Sequence, residues 1–385
     1  MTLALDLVGA QVLRPGAGLV EDRLSLADGV IVEAPVGRAV DLSGFLVLPG
    51  IVDAHGDGFE RHMAPRRGAM MEPAAGLWAV EAELAANGIT TGVLAQFMSW
   101  EGGLRGAEFA DGVFSALRAA RGDLLVDMVP QLRFETHLLA EYDGLPGRLA
   151  GWGVGHVVFN DHLPHDRLAE GRRPPRLTGQ ALKAGRNPET HFAMMLELHA
   201  RSPEVPAALD RLTARLAEAG VRMGSHDDRR AEDRAAWRAR GVTVSEFPET
   251  RAAAAAAREG GDLTVFGSPN VVRGGSHNGN VPAAEMVAEG LCDALASDYH
   301  YPSTRRAVRR LVEEGALDLG AAWALVSEGP ARVLGLTDRG VLAPGLRADL
   351  VVMEPGTGRI GATVSKGRVA CMSGAVAERF LGRAG

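Results

Sequence analysis

The stretch LPGIVDAHGD, residues 48–57, closes an apolar run by placing His55 and Asp57 two positions apart. Residues i and i+2 of an extended strand point to the same face, so this imidazole and carboxylate can converge on one point. A strand that ends in such a pair reads as the first strand of an α/β protein with chemistry at its strand ends.

Downstream, helical stretches with apolar spacing near 3.6 alternate with short β-rich runs that end in polar residues. GLWAVEAELAANGITTGVLAQF shows one such unit, in which Gly88 closes a helix ahead of ITTGVLA. The strand candidates are FLVLPGIVDAHGD, ITTGVLAQF, LLVDMVPQLRFETH, VGHVVFNDH, VRMGSHDD, VTVSEFP, LTVFGSPN and DALASDY. Eight strands alternating with helices imply an α/β fold, a (β/α)₈ TIM-like barrel whose active site lies at the C-terminal strand ends. Residues 1–48 and 339–385 instead show strand-like runs divided by turn residues, so both chain ends are expected to form a small β-sandwich domain, with the barrel at 49–338.

Composition narrows the function classes. The 385 residues are 46% hydrophobic, enough for a large core, and 41 basic against 48 acidic residues give a net charge of −7. No global basic field is available for nucleic acid or an anionic membrane surface. Two cysteines, Cys292 and Cys371, make no disulfide framework, and no run approaches the ~18 apolar residues of a membrane span. The N-terminus lacks a basic, apolar leader pattern, so a cytoplasmic protein is expected. Homo-oligomerisation stays open.

His55, Asp57, Glu135, His162, His226 and Asp298 all fall at the ends of candidate strands. Imidazole and carboxylate suit a borderline divalent ion, Zn²⁺ first, with Mn²⁺ or Fe²⁺ as alternatives and one or two ions bound. Each has a bland alternative: Glu135 could pair with Arg133, His162 competes with His165 and Asp161, and His226 could be a loop histidine. Asp227 and Asp228 beside His226 resemble acceptors that fix imidazole tautomers. Asp298 follows a strand of small residues, where burial without a metal or proton role would be costly. His191 and His199, on a helix with Met194, Met195 and Leu196, read as packing residues.

Two basic stretches read as anion binders in this acidic chain. GSPNVVRGGSHNGN, residues 267–280, offers Arg273, Ser276, His277 and Asn278 on a glycine-rich loop; ERHMAPRRG, residues 60–68, offers Arg61, His62, Arg66 and Arg67. A phosphorylated small-molecule substrate is therefore expected. Residues 172–189, long, basic and proline-containing, read as an insertion over the barrel mouth that could serve as a lid. No P-loop, dinucleotide fingerprint or serine-hydrolase elbow occurs in its required context.

LPGIVDAHGD after a small β segment, SDY at the eighth strand and GVLAPGLRADLVVME after the barrel resemble the amidohydrolase superfamily of metal-dependent hydrolases, over nearly the whole chain. LRFETH, GSHDD, EFPET, GSPNVVRGGSHNGN and ASDYHYPS are more narrowly similar to its phosphonate-metabolism branch, which hydrolyses α-D-ribose 1-methylphosphonate 5-triphosphate to the 5-phosphate and pyrophosphate. The resemblance implies a metal centre of His55, Asp57, His162 and His226, Glu135 as bridging carboxylate in place of a carboxylated lysine, and Asp298 as ligand and proton acceptor. Gly56 stands where that family usually carries Thr. The rival expectations are an amide, imide or amine hydrolase using the same site, and a non-catalytic scaffold.

Overall fold

The computed structural model describes residues 2–66, 69–276 and 279–382. Eight strands form one parallel sheet in chain order, here numbered β1 Ile51–Asp53, β2 Ile89–Met98, β3 Asp127–Glu135, β4 His156–Asn160, β5 Arg222–His226, β6 Val244–Glu246, β7 Leu263–Gly267 and β8 Ala294–Ala296. With helices between the strands, this is the expected (β/α)₈ barrel. All ten residues of β2 are buried, as in a strand covered on both faces, whose sequence runs apolar rather than alternating.

Two further sheets come from the termini. One has four strands, all from residues 5–41; the other has six and joins an N-terminal half, Gly18–Glu21, Gln11–Arg14 and Leu46–Pro49, to a C-terminal half, Leu350–Met353, Ile360–Ser365 and Arg368–Met372, in that order across the sheet. Their shared core draws Leu5, Leu26 and Val47 from one end of the chain and Leu350, Val364 and Phe380 from the other.

The run FLVLPGIVDAHGD is not one strand. Leu46–Pro49 pairs antiparallel with Leu350–Met353 in the terminal sheet, and the chain restarts as β1, pairing parallel with β2. Gly50 is the breakpoint, because a Cβ there would lie 2.2 Å from Thr90 Oγ1. Its N–H donates to Asp349 O at 2.9 Å, and the Pro49 carbonyl accepts from Trp323 Nε1 at 2.9 Å.

Chain contacts divide the molecule into two compact units, Met1–Leu94 with Ala120–Val129 and Leu263–Gly385, and Ala95–Ala119 with Pro130–Asp262. In the first, a parallel bridge between Gly56 and Asp298 joins the chain beyond β1 to the chain beyond β8. Below it, buried Asp53 accepts from Ser297 N at 2.8 Å and Ser297 Oγ at 2.5 Å. In the second, registers pair Glu135 with Asn160 across β3 and β4, and His226 with Glu246 across β5 and β6. The segment 172–189 is no bare loop: it contains the helix Leu177–Lys183 and begins the helix Pro188–Ala200, and Leu177 and Met195 share a small core with Trp100, Leu163 and Leu168. Among the described residues no helix is long and apolar enough to cross a membrane.

Candidate metal centre

The first unit brings together His55, Asp57 and Asp298, each offering a ligand atom within 4.8 Å of the others. The backbone arranges this: Asp298 N donates to His55 O at 3.0 Å and Asp57 N donates to Asp298 O at 2.9 Å. His55 is fully buried, and the two carboxylates are half-buried. Asp298 sits at φ +56°, a left-handed conformation that an aspartate tolerates better than most residues. Asp227 and Phe247, just beyond β5 and β6, also have positive φ. Such strain concentrated at strand ends is a recurrent mark of functional sites. Gly56 fits because a Cβ there would lie 2.9 Å from Asp53 Oδ2 and 3.0 Å from Tyr301 Cε1, so a threonine would require neighbours to move.

The second unit holds the other expected ligands. Glu135, fully buried, bonds His162 Nδ1 through Oε1 and accepts from the His162 backbone N–H through Oε2 at 3.2 Å. Glu101 lies in the same group. Burial opposes a charge on His162, but the Glu135 carboxylate outweighs it and raises the imidazole pKa. Arg133 donates to Asn160 Oδ1 at 3.1 Å and to His226 Nε2 at 2.7 Å, with its guanidinium 3.9 Å from the Phe97 ring centre. His226 Nδ1 faces Glu246 Oε2 at 3.4 Å, and Glu246 Oε1 accepts from Gln131 at 2.8 Å.

Glu246, fully buried, is the carboxylate that sequence reasoning passed over. It ends VTVSEFP as the other candidates end their strands, and that position was the signal available. Of the two aspartates expected to fix the His226 tautomer, Asp227 places Oδ1 3.6 Å from His226 Nε2, whereas Asp228 Oδ2 accepts from Ser225 Oγ and Ser245 Oγ, both at 2.7 Å, and from buried Arg234 at 3.2 Å.

The anion-binding stretches divide in a similar way. GSPNVV does not stay a loop, for Ser268–Arg273 is a helix with Pro269 in its first turn and left-handed Gly274 as its cap. Arg273 is exposed and donates to Tyr299 OH at 2.9 Å, and Ser276 is half-buried. His277, Asn278 and Arg67 lie outside the described residues. His62 Nε2 sits 2.5 Å from Glu83 Oε2, Arg61 donates to Glu83 and to Tyr299 O, and Arg66 is exposed.

His191 is fully buried, as a packing residue would be, but His199 is not simply packed, because its Nδ1 lies 2.8 Å from His165 Nδ1.

Comparison with known proteins agrees with this architecture. The profile of the Amidohydrolase family matches residues 82–370. The α-D-ribose 1-methylphosphonate 5-triphosphate diphosphatase of Escherichia coli (strain K12) is 32% identical over 330 residues, covering 82% of this chain and 85% of that protein. The chain belongs to the amidohydrolase family. As an amidohydrolase it is a hydrolytic enzyme, and its His, Asp and Glu groupings suit the divalent metals on which the superfamily depends. A dihydroorotase of Geobacter sp. (strain M21) matches locally, 35% identical over 89 residues, 18% of this chain and 21% of that protein. Among solved structures, a triazine hydrolase variant superposes with TM-score 0.63 at 15% identity, covering 98% of each chain, and a putative prolidase from Bifidobacterium longum with 0.63 at 13% identity, covering 99% of each. At that identity the likeness speaks for the fold alone.

Proposed function

We propose that this amidohydrolase cleaves the phosphoanhydride of α-D-ribose 1-methylphosphonate 5-triphosphate, giving the 5-phosphate and pyrophosphate. The observation that carries this reading is the 32% identity, over most of both chains, to a diphosphatase of that name. The donors fit a divalent ion: one imidazole nitrogen and two carboxylate oxygens within 4.8 Å of one another, on a backbone already tied by two hydrogen bonds. In this reading His55, Asp57 and Asp298 hold metal in the first unit, and Glu135, His162 and His226 are the ligand candidates of the second, His226 by giving up the Arg133 contact at its Nε2. Bound there, a divalent metal would supply Lewis acidity, lowering the pKa of a coordinated water toward about 7.

The remaining steps belong to the chain. Asp298 orients the attacking water and accepts its proton. The water oxygen bonds to the phosphorus nearest the ribose, the bond from that phosphorus to the bridging oxygen breaks, and pyrophosphate leaves with the electron pair. Arg273, held by Tyr299, and exposed Arg66 bind the phosphoryl oxygens, with Ser276, His277 and Asn278 on the adjoining segment and His62 beside the first strand end as further substrate contacts.

The second reading, hydrolysis of a cyclic amide or imide, is favoured by the local dihydroorotase match; fold and metal do not choose the electrophile. The purified, metal-analysed enzyme is to be assayed with ribosyl and nucleoside triphosphates and with dihydroorotate, quantifying phosphate, pyrophosphate and ring opening separately. Pyrophosphate from the methylphosphonate triphosphate supports the proposal, and ring opening without it refutes the proposal.

A further inference from the structure

Beside the ligands Glu135 and His162 but sharing no residue with them, the second unit gathers His137, Asp161, His165 and His199. His137 follows β3, Asp161 follows β4, His165 opens the helix His165–Ala169, and His199 lies in the last turn of Pro188–Ala200. His137, Asp161 and His165 each place one ligand atom within 4.8 Å of the other two. The imidazoles lie side by side, His137 4.9 Å from His165 and His165 5.1 Å from His199 between ring centres.

The hydrogen bonds around the cluster orient its lone pairs. Ser202 Oγ donates its only hydrogen to His199 O at 2.7 Å, so toward His137 Nε2, 3.0 Å away, it acts as acceptor. His137 Nε2 therefore carries a hydrogen, and a neutral His137 presents the lone pair of Nδ1. That nitrogen lies 3.5 Å from Asp161 Oδ1, with the Thr136 hydroxyl a further 3.3 Å contact. On the other side, His165 Nδ1 lies 2.8 Å from His199 Nδ1 and His165 Nε2 lies 2.9 Å from Asp161 Oδ2. If His165 donates from Nδ1 to His199, its Nε2 lone pair also faces the Asp161 carboxylate. Three electron-pair donors then converge, and a cation between them relieves their mutual repulsion.

We propose that His137 Nδ1, Asp161 and His165 Nε2 form a second metal site, for a borderline divalent ion of the Zn²⁺, Co²⁺ or Ni²⁺ class, with Ser202 and His199 holding the two imidazoles in their ligating tautomers. Bonds of about 2.1 Å to a tetrahedral ion separate neighbouring ligand atoms by about 3.4 Å. The 2.9 and 3.5 Å separations bracket that value. Two neutral imidazoles and one carboxylate leave the bound ion a net positive charge, and three protein ligands leave it an open position, as in sites that take water or an anion. His137 is buried while Asp161 and His165 are about one-third exposed or more, so the ion enters from the solvent side. A metal-ligating histidine ordinarily donates its other ring N–H to an acceptor, which Ser202 and His199 provide here.

The test uses the full-length chain, stripped with chelator and titrated with Zn²⁺ alone by calorimetry, with Co²⁺ absorption as a second signal. To separate this site from the barrel centre, it is run in wild type and in the double variant His55→Ala/Asp298→Asn. The double variant is expected to retain one equivalent of Zn²⁺, which is lost on adding His165→Ala or the near-isosteric Asp161→Asn. Ser202→Ala is expected to weaken that equivalent about 10–100-fold without abolishing it. Circular dichroism checks that each variant is folded, and Asp161→Asn serves if His165→Ala is not. A folded double variant that binds no Zn²⁺, or whose Zn²⁺ is indifferent to both substitutions, overturns the proposal and leaves the cluster a hydrogen-bonded network.

Discussion

Arg234 is fully buried on the helix Ala231–Ala239, and its removal should be among the most damaging single changes in the second unit. Its Nη1 donates to Ser225 Oγ at 2.6 Å and Asp228 Oδ2 at 3.2 Å, and its Nη2 to Val242 O at 3.1 Å and Asp262 Oδ2 at 2.6 Å. In Arg234→Met a side chain of similar length fills the space but leaves two nearly inaccessible carboxylates without their shared cation. Breaking a buried pair in this way costs about 3–5 kcal/mol. Asp262 keeps Arg238 at 2.7 Å and Asp228 keeps two serine hydroxyls, which argues for the lower end, about 3 kcal/mol. For a unit of this size that is a fall of roughly 6–12 °C in Tm. Thermal melts by circular dichroism read it directly. Arg234→Lys, which keeps the charge but not the fork that bridges both carboxylates, should lie between. Because Ser225 and Ser245 immediately precede His226 and Glu246, the Met variant should also bind metal more weakly. A Tm drop below about 2 °C would refute the reasoning, since it would mean that the two carboxylates do not depend on the guanidinium.

Other substitutions probe the chemistry more directly. Asp298→Asn is expected to lower kcat about 10²–10⁴-fold with KM little changed, and steady-state kinetics with an unaltered kcat would remove Asp298 from proton transfer. Arg273→Ala, losing charge-assisted contacts of about 1.5–3 kcal/mol, should raise KM for the triphosphate roughly 10–100-fold, which substrate titration measures. Burial raises the Cys292 thiol pKa far above its ordinary value, so in native protein at pH 8 a thiol-exchange reagent should react with half-buried Cys371 alone, and with both cysteines after denaturation. Burial also lifts the Asp53 carboxyl to about 6 against its hydrogen bonds from Ser297. An acid whose pKa is higher in the folded state binds extra protons there, so its penalty is absent below the unfolded pKa near 4, grows as pH rises to about 6, and then levels at about 3 kcal/mol. In chelated protein, Asp53→Asn should therefore gain stability relative to wild type between pH 4.5 and 7.5 in urea titrations; a constant difference would contradict the shift.

The barrel was legible because strand-helix alternation and polar strand ends are local patterns, and the same rule picked out His55, Asp57 and Asp298, whose ligand atoms lie within 4.8 Å of one another. Glu246 obeys it too, at the end of VTVSEFP, and was passed over. The break at Gly50 was hidden, since an apolar run looks continuous when each half is buried in a different sheet; only the closeness of Thr90 forces glycine there. Asp228 illustrates another limit. A carboxylate close to a histidine in sequence suggests a tautomer partner, and Asp227 does lie 3.6 Å from His226 Nε2, but Asp228 is bound by Arg234, an arginine whose burial no charge pattern announces. His199 looked like helix packing because its partner His165 lies 34 residues away in sequence, and tertiary approach of that kind has no spacing rule.

The six-stranded terminal sheet has a consequence for how the protein is made. Strands near residues 11 and 46 leave the ribosome first, yet Leu350–Met353, which pairs with Leu46–Pro49, follows some three hundred residues later. Until then Leu46–Pro49 presents an unsatisfied backbone edge, the feature that templates aggregation in incomplete chains. Nascent or prematurely terminated polypeptides lacking the last forty residues should depend on chaperone holding, while the finished chain closes its own seam.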